Sequence, residues 1–191
     1  MKVTFYKSIL SEDLTPTDKI VFCQVLYLSL MEKGGVAFDS RGCFKDDSIH
    51  EDYGGYIPLS WRVSERYLSK VLIISLAQSY LSLNRLREKG YIIANEFNEE
   101  MVKFINLIPF YELEVESGLC GMELIVYSYL ISKSKKYEWI DKYHKALAED
   151  LLLSPKSLER IIDKLNKKGF LQRMRKGHQV LLRPCLKISR P

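Results

Sequence analysis

The sequence contains no apolar run long enough to cross a membrane and no segment typical of secretion. Its longest apolar stretch, residues 20–31, is interrupted by Cys23, Gln24 and Ser29 and falls well short of the roughly 20 residues that a spanning helix needs. The first 18 residues place charges on both sides of a very short apolar patch and lack the h-region of a signal peptide. We therefore expect no membrane span and a cytoplasmic location.

Cysteine is scarce and dispersed. No Cys-x-x-Cys pair occurs among Cys23, Cys43, Cys120 and Cys185, so neither a zinc knuckle nor a redox pair is indicated. Free cysteines are commonly buried and behave as small apolar residues. We expect these thiols to be free and buried.

Motifs that carry catalysis are also missing. The chain has no G-x-x-x-x-G-K-[ST], G-x-G-x-x-G, H-E-x-x-H or G-x-S-x-G sequence. None of His50, His144 and His178 shares a helical face with a second type of metal ligand. The sequence therefore predicts a protein that is not an enzyme, with no catalytic residue, cofactor or metal.

Basic charge is present but unevenly distributed. Residues 1–112 contain 13 Lys and Arg against 15 Asp and Glu, a net charge of −2, whereas residues 113–191 contain 16 against 9, a net charge of +7. Residues 153–191 alone contain 11 basic residues and two acidic ones, Glu159 and Asp163. Concentrated positive charge favours a polyanionic partner, so this segment is a candidate nucleic-acid interface.

The chain contains an internal repeat in two blocks. Residues 14–26 align with residues 119–131 at an offset of 105, and residues 68–92 align without a gap with residues 147–171 at an offset of 79. The second block has 6 identities in 25 positions. Because the offset falls by 105 − 79 = 26, the first copy carries about 26 extra residues between its first two helices.

Each copy is predicted to form a helix, a second helix, a short turn, a third helix and a hairpin. In the second copy, Ser154 and Pro155 are typical of a helix start, and Gly169 is typical of a helix stop. Apolar residues then recur at helical spacing and predict a core-facing stripe at Leu158, Ile161, Ile162 and Leu165. Alternating residues around Lys176 and Gly177 predict the hairpin, and YIIANEFN and MVKFINLIP, after Gly90, predict the hairpin of the first copy.

These patterns predict a mainly α fold with small β-hairpins, of the α+β class, divided into two domains. The first covers residues 1–112 with an insertion at about 34–61, and the second, basic, domain covers residues 113–191. The insertion is glycine-rich and is expected to form a hairpin or loop. Its acidic residues do not have the spacing of an EF-hand loop, so we expect solvated charge at Asp46, Asp47, Glu51 and Asp52.

The repeat resembles a known family. Residues 147–171, LAEDLLLSPKSLERIIDKLNKKGFL, resemble the helix-turn-helix of bacterial winged-helix DNA-binding proteins, and LTPTDKIVF at residues 14–22 resembles their opening helix. The resemblance implies two winged-helix domains in tandem, as in plasmid and phage replication initiators and winged-helix regulators. The sequence departs from the family where Leu152 and Ile73 replace the usual glycine of the turn. This departure predicts an altered turn and a longer second helix.

The resemblance implies that the third helix of the second copy enters the major groove of double-stranded DNA. Arg160 is the candidate for base readout, because a guanidinium can form two hydrogen bonds with guanine. Phosphate contacts are expected from Lys156, Ser157, Lys164, Lys167 and Lys168, and wing contacts from Arg173, Arg175, Lys176 and His178. The alternative is a solvated basic helix face without a ligand.

The first copy is less suited to DNA. Gln78, Ser79, Ser82 and Arg85 are its candidate DNA-binding residues, but its wing carries Glu96, Glu99 and Glu100. The alternative is that this domain binds another protein or a second copy of the chain through exposed apolar residues such as Leu81. For the whole chain we expect sequence-specific DNA binding, as a regulator of transcription or a replication initiator of bacterial or mobile-element origin. A tandem winged-helix protein-interaction module without DNA binding is the alternative.

Overall fold

The computed structural model describes residues 2–32, 56–103, 109–115, 118–119, 121–134, 138–140, 144–177 and 179–185. Most of the predicted insertion lies outside these residues, together with Cys43, Cys120, His50 and His178. The described residues form six α-helices and seven β-strands in small antiparallel sheets. The predicted mainly helical α+β class is therefore confirmed.

The elements follow one another in two similar series. The first series consists of β1 (Lys2–Tyr6), a 3₁₀ helix (Lys7–Ser11), α1 (Pro16–Glu32), β2 (Tyr56–Pro58), α2 (Glu65–Leu72), α3 (Leu76–Glu88), β3 (Ile92–Ala94) and β4 (Glu100–Lys103). After it come β5 (Pro109–Glu114), α4 (Gly121–Lys133), α5 (His144–Asp150), α6 (Pro155–Lys167), β6 (Leu171–Lys176) and β7 (Gln179–Pro184).

The strands form three sheets. β2, β4 and β3 form an antiparallel sheet in that order, and β6 and β7 form a hairpin with Leu171 opposite Pro184 and Lys176 opposite Gln179. Ile140 forms an isolated bridge with Leu182 of β7, so a short extended segment precedes α5 much as β2 precedes α2. The third sheet pairs β1 with β5.

Serine residues begin the helices that carry the repeat. Ser75 accepts a hydrogen bond from the Gln78 backbone N–H at 3.1 Å, and the Gln78 side chain accepts one from the Ser75 N–H, which completes a capping box. Ser154 accepts one from the Ser157 N–H at 3.1 Å, with Pro155 in the first turn. The predicted start of the third helix in the second copy is confirmed.

Both turns between the second and third helices use a left-handed residue that is not glycine. Ile73 has φ 51° and Leu152 has φ 52°. Each takes the backbone conformation that glycine would supply, so the turn keeps its geometry and α2 and α5 end at Leu72 and Asp150. The expectation of an altered turn and a longer helix was wrong, because the backbone accepts the strain of a left-handed side chain.

The two series share side-chain contacts at positions related by the repeat. Phe22 packs edge-on against Tyr91 at 5.1 Å, and Tyr127 packs edge-on against Phe170 at 5.4 Å.

A pair of equivalent lysines makes a second shared contact. The Lys89 ammonium donates to the backbone carbonyl of Asp13, and the Lys168 ammonium donates to that of Gly118, the residue 105 positions later. Each lysine therefore joins the end of a third helix to the segment just before a first helix. The repeat seen in the sequence is a repeat of contacts as well.

Buried side chains from both series belong to one continuous core. β5 joins the two: it pairs with β1, and its Tyr111 stacks on Phe5 at 5.3 Å and donates a hydrogen bond to the Ile125 carbonyl of α4 at 3.0 Å. The predicted boundary at residue 112 falls inside this strand. The division into two domains remains a prediction.

Cys23 is buried in α1 and Cys185 is half-buried after β7, both as free thiols. Burial raises the pKa of the Cys23 thiol to about 12. The prediction of a buried free thiol is confirmed for Cys23, whereas Cys185 is partly exposed. Among the described residues, no helix combines the length and apolar character needed to cross a membrane.

Candidate nucleic-acid interface

Helix α6 presents its basic residues on the side opposite the core. Leu158, Ile162 and Leu165 are fully buried against the rest of the second series. The exposed basic residues fall within about 80° of arc on the opposite side of an ideal helix. They are Lys156, Arg160, Lys164 and Lys167. We refer to these four residues as the cationic face.

The cationic face makes no hydrogen bond or ion pair with any described residue, and its like charges are therefore directed to solvent. Ser157 is exposed beside it, and its hydroxyl accepts a hydrogen bond from Ser154 Oγ at 2.8 Å. Four cations that form no ion pair with a described residue lie on one helix face and create a positive potential that favours an anionic ligand.

The hairpin β6–β7 extends this positive surface. Arg175 and Lys176 are exposed at its tip, next to Gly177, which has φ 62°. Arg173 faces α6, and because residues two apart lie on the same face of a strand, Arg175 lies on that face too, closer to the tip. The helix and the hairpin tip therefore present basic groups together.

Arg173 itself is used by the fold. Its guanidinium donates to Asp163 at 3.0 Å and to Glu159, both on α6. These two contacts compete with a contact from Arg173 to DNA, which stays a prediction. The same contact pairs one cation with both acidic residues of segment 153–191, so it offsets part of their negative charge beside the cationic face.

Lys168 is also engaged within the protein. Its ammonium lies 2.5 Å from Glu123 Oε2 on α4 and 2.9 Å from the Gly118 carbonyl. These contacts compete with a phosphate contact from Lys168, which stays a prediction. His178 lies outside the described residues, so the prediction for it stays untested.

The equivalent helix in the first series, α3, lacks a cationic face. The positions matching Lys156, Arg160, Lys164 and Lys167 are occupied by Ala77, Leu81, Arg85 and Glu88. Ser79 and Ser82 are fully buried, and Ser79 donates a hydrogen bond to the Ser75 carbonyl. The expectation that these two serines contact DNA is corrected, since their hydroxyls are out of reach of a ligand.

Arg85 is held by a carboxylate rather than free at the surface. Its guanidinium forms two hydrogen bonds with Asp18 of α1, at 2.8 and 2.9 Å. Burial on its own raises the pKa of the Asp18 carboxyl, but the hydrogen bonds from Arg85, Ser82 and Thr15 outweigh burial and hold that pKa below its usual value. The pair with Asp18 competes with a contact from Arg85 to DNA, and that contact stays a prediction. Gln78 remains exposed, with its amide oxygen in the capping box.

An exposed apolar group on α3 was only partly anticipated from the sequence, which pointed to Leu81 alone. Leu76 and Tyr80 are also exposed, at 51% and 54%. These two residues are four positions apart and do not belong to the core stripe of α3. That pattern of apolar residues is the sequence signal that could have revealed them.

No protein-family model matches the chain, and no curated protein matches it. Within the described residues, no group of three His, Cys, Asp or Glu side chains is arranged to hold a metal ion. The assignment of function therefore depends on the geometry of the chain itself.

Proposed function

We propose that this chain consists of two winged-helix units in tandem and that the second unit binds double-stranded DNA. The observation that carries the proposal is the cationic face of α6 beside the basic tip of β6–β7, with the neighbouring acids Glu159 and Asp163 both paired with Arg173.

The order of elements supports the winged-helix assignment. In the first series a helix, a strand, two helices and a hairpin follow one another, and the strand β2 pairs with the far strand of that hairpin. The second series repeats this order, with the Ile140–Leu182 bridge in place of β2. In this fold the third helix is the one that enters the major groove.

The geometry suggests a distinct task for each basic group. α6 would lie in the major groove with Arg160 directed to base edges, where it can form a bidentate pair with guanine. Lys156, Lys164 and Lys167, with the Ser157 hydroxyl, would contact phosphates. Arg175 and Lys176 would reach the backbone or minor groove next to the site.

Such a site suits a sequence-specific regulator of transcription or a replication-initiation protein of bacterial or mobile-element origin, without catalytic activity. A second candidate is a protein-interaction module that does not bind DNA. The exposed apolar residues of α3 favour it, whereas the unopposed positive charge of α6 favours DNA.

The direct test is fluorescence anisotropy with random-sequence duplex DNA over a salt series. Four to six phosphate contacts predict that the logarithm of the binding constant falls with the logarithm of salt concentration at a slope of roughly −4 to −5. Absence of measurable binding at low salt would exclude the DNA-binding proposal and favour the protein-interaction module.

Single substitutions then separate base readout from phosphate contact. Arg160→Ala should cost about 1–3 kcal/mol on the selected site and relax base choice, whereas Lys167→Ala should weaken all sequences alike and reduce the salt slope by about 1. Lys70→Ala, which removes an exposed cation from α2, is the matched control and should leave the affinity unchanged. An equal loss from Lys70→Ala would contradict the assignment to the second unit.

A further inference from the structure

Helix α3 presents an apolar surface to solvent. Leu76, Tyr80 and Leu81 are exposed at 51%, 54% and 49%. With Ala77 they form what we call the α3 apolar face, which lies beside the buried stripe of the helix at Leu83 and Leu86 and is exposed to solvent. No charged residue occurs between Leu76 and Leu81. Apolar surface gathered on one helix face is typical of a site that another molecule covers.

A groove of about 430 Å³ lies beside this face. Leu76, Ala77 and Tyr80 line it from α3, and Glu65 and Arg66 line it from α2. Ala77 is the small residue among larger ones, so the helix is recessed at that point. On its α3 side, the groove is therefore a recess bordered by aliphatic and aromatic side chains.

The same helix also carries a side chain suited to fill such a hole. Leu81 lies one turn beyond Ala77, on the same side of α3, and does not line the groove. A helix with a protruding Leu and a recess four residues away can pack against an antiparallel copy of itself. In that arrangement, Leu81 of each copy enters the recess at Ala77 of the other copy. Self-complementarity of this kind is what an interface with two-fold symmetry requires.

The charges at the edge of the groove are self-complementary too. Glu65 and Arg66 are neighbours on α2. A two-fold arrangement can therefore bring Glu65 of each copy opposite Arg66 of the other copy. A strongly acidic or strongly basic partner would find one of the two charges unfavourable. The equivalent face of α6 carries four cations instead, and like-charge repulsion would prevent it from packing against its own copy.

We propose that the α3 apolar face is a self-association surface through which two copies of this chain form a symmetric dimer. The occupant of the groove is Leu81 of the second copy. This inference does not depend on DNA binding by α6, because its test measures the molecular mass of the protein in the absence of DNA.

Sedimentation equilibrium from low to high micromolar concentration tests the proposal. The wild-type chain should form a dimer, and Leu81→Glu should weaken the dimer at least tenfold, because it places a carboxylate in an apolar recess. Ala77→Trp should do the same by filling the recess. Phe97→Glu, at a residue 81% exposed on the turn between β3 and β4, is the control and should leave the dimer unchanged. Circular dichroism should show that each variant is folded.

A charge exchange distinguishes a second copy from any other occupant. Glu65→Arg should weaken the dimer, because it places two positive charges opposite each other. The double variant Glu65→Arg, Arg66→Glu should restore the dimer, because each copy again presents one charge of each sign. A chain that stays monomeric at all concentrations overturns the proposal. So does a dimer that persists in Leu81→Glu and Ala77→Trp.

Discussion

Arg85, Arg160 and Arg173 are alike in sequence but differ in what surrounds them. Arg85 faces Asp18 of α1, 67 positions earlier, and Arg173 faces two carboxylates of α6, whereas Arg160 has no ion-pair partner among the described residues. The sequence could identify all three as basic residues on third-helix and hairpin positions. It could not identify Asp18 as a partner, because that pairing depends on how α1 packs against α3.

The ion pair between Asp18 and Arg85 should contribute to stability. Asp18→Asn removes the charge while keeping the shape and leaves the guanidinium without its carboxylate. Since Arg85 is 38% exposed and can turn to water, we expect a loss of about 1–3 kcal/mol in the free energy of unfolding, less than for a fully buried pair. Urea denaturation measures it. Asp13→Asn, at a 99% exposed partner of Lys89, should leave the free energy of unfolding almost unchanged.

This contribution should depend on pH in a defined direction. The pKa of Asp18 is lowered in the folded state, so the stabilisation is complete above the unfolded pKa of about 3.9 and is lost as the pH falls through the folded value. The difference in stability between the wild type and Asp18→Asn should therefore be constant at neutral pH and shrink below about pH 4. A difference that grows on acidification would contradict the lowered pKa.

The Cys23 thiol should be unreactive in the folded protein. Burial raises its pKa to about 12, and the thiolate is the reactive form. In a variant with Cys43 and Cys120 changed to serine, iodoacetamide at neutral pH should label the half-buried Cys185 and leave Cys23 unmodified. Mass spectrometry of the labelled peptides measures this. Rapid labelling of Cys23 without denaturant would show that α1 opens readily.

At the scale of elements, the helices and the two hairpins could be predicted from the sequence, whereas β1, β2 and β5 could not. Helical spacing and serine caps in the sequence indicate α3 and α6. β2 has only three residues and lies in the segment predicted to be a loop or hairpin insertion. Its partner β4 lies more than 40 positions away, so no local period reveals it. β1 and β5 could not be predicted for the same reason, because each forms a strand by pairing with the other across more than 100 positions of sequence.

The two turns at Ile73 and Leu152 give a test of backbone strain. A left-handed conformation costs a non-glycine residue about 1–2 kcal/mol, and glycine adds about 0.5–1 kcal/mol of unfolded-chain entropy. Leu152→Gly should therefore raise the free energy of unfolding by about 0.5–1 kcal/mol, measured by urea denaturation. Lys145→Gly, at an exposed position of α5 with ordinary helical backbone, should lower it by about 1 kcal/mol. A loss from Leu152→Gly would mean that the exposed leucine side chain contributes more than the strain costs.

At the scale of the whole molecule, the repeat in the sequence predicts two similar units but not how they join. The join consists of β5 and its contacts with both halves. Besides Tyr111, the Glu114 backbone N–H donates to the Ser128 hydroxyl of α4 at 2.9 Å. β5 lies outside both aligned blocks of the repeat, so comparing the chain with itself could not reveal its contacts.

A continuous core predicts that the two halves unfold together. In native-state hydrogen exchange, the buried amides of residues 20–26 in α1 and residues 124–130 in α4 should exchange with the same free energy and the same dependence on urea. Two distinct free energies would show that the halves are independent domains joined by a sheet that opens easily. Tyr111→Ala, which removes the shared aromatic contact, should separate the two values.

The pairing of β1 with β5 also has a consequence for synthesis. The ribosome completes residues 2–6 more than 100 residues before it completes residues 109–114. At 5–20 residues per second, β1 waits roughly 5–20 s for its partner strand. During that interval Val3 and Phe5, fully buried in the finished fold, have no strand to cover them. Nascent chains halted between residues 10 and 100 should therefore be the ones that bind chaperones for apolar segments.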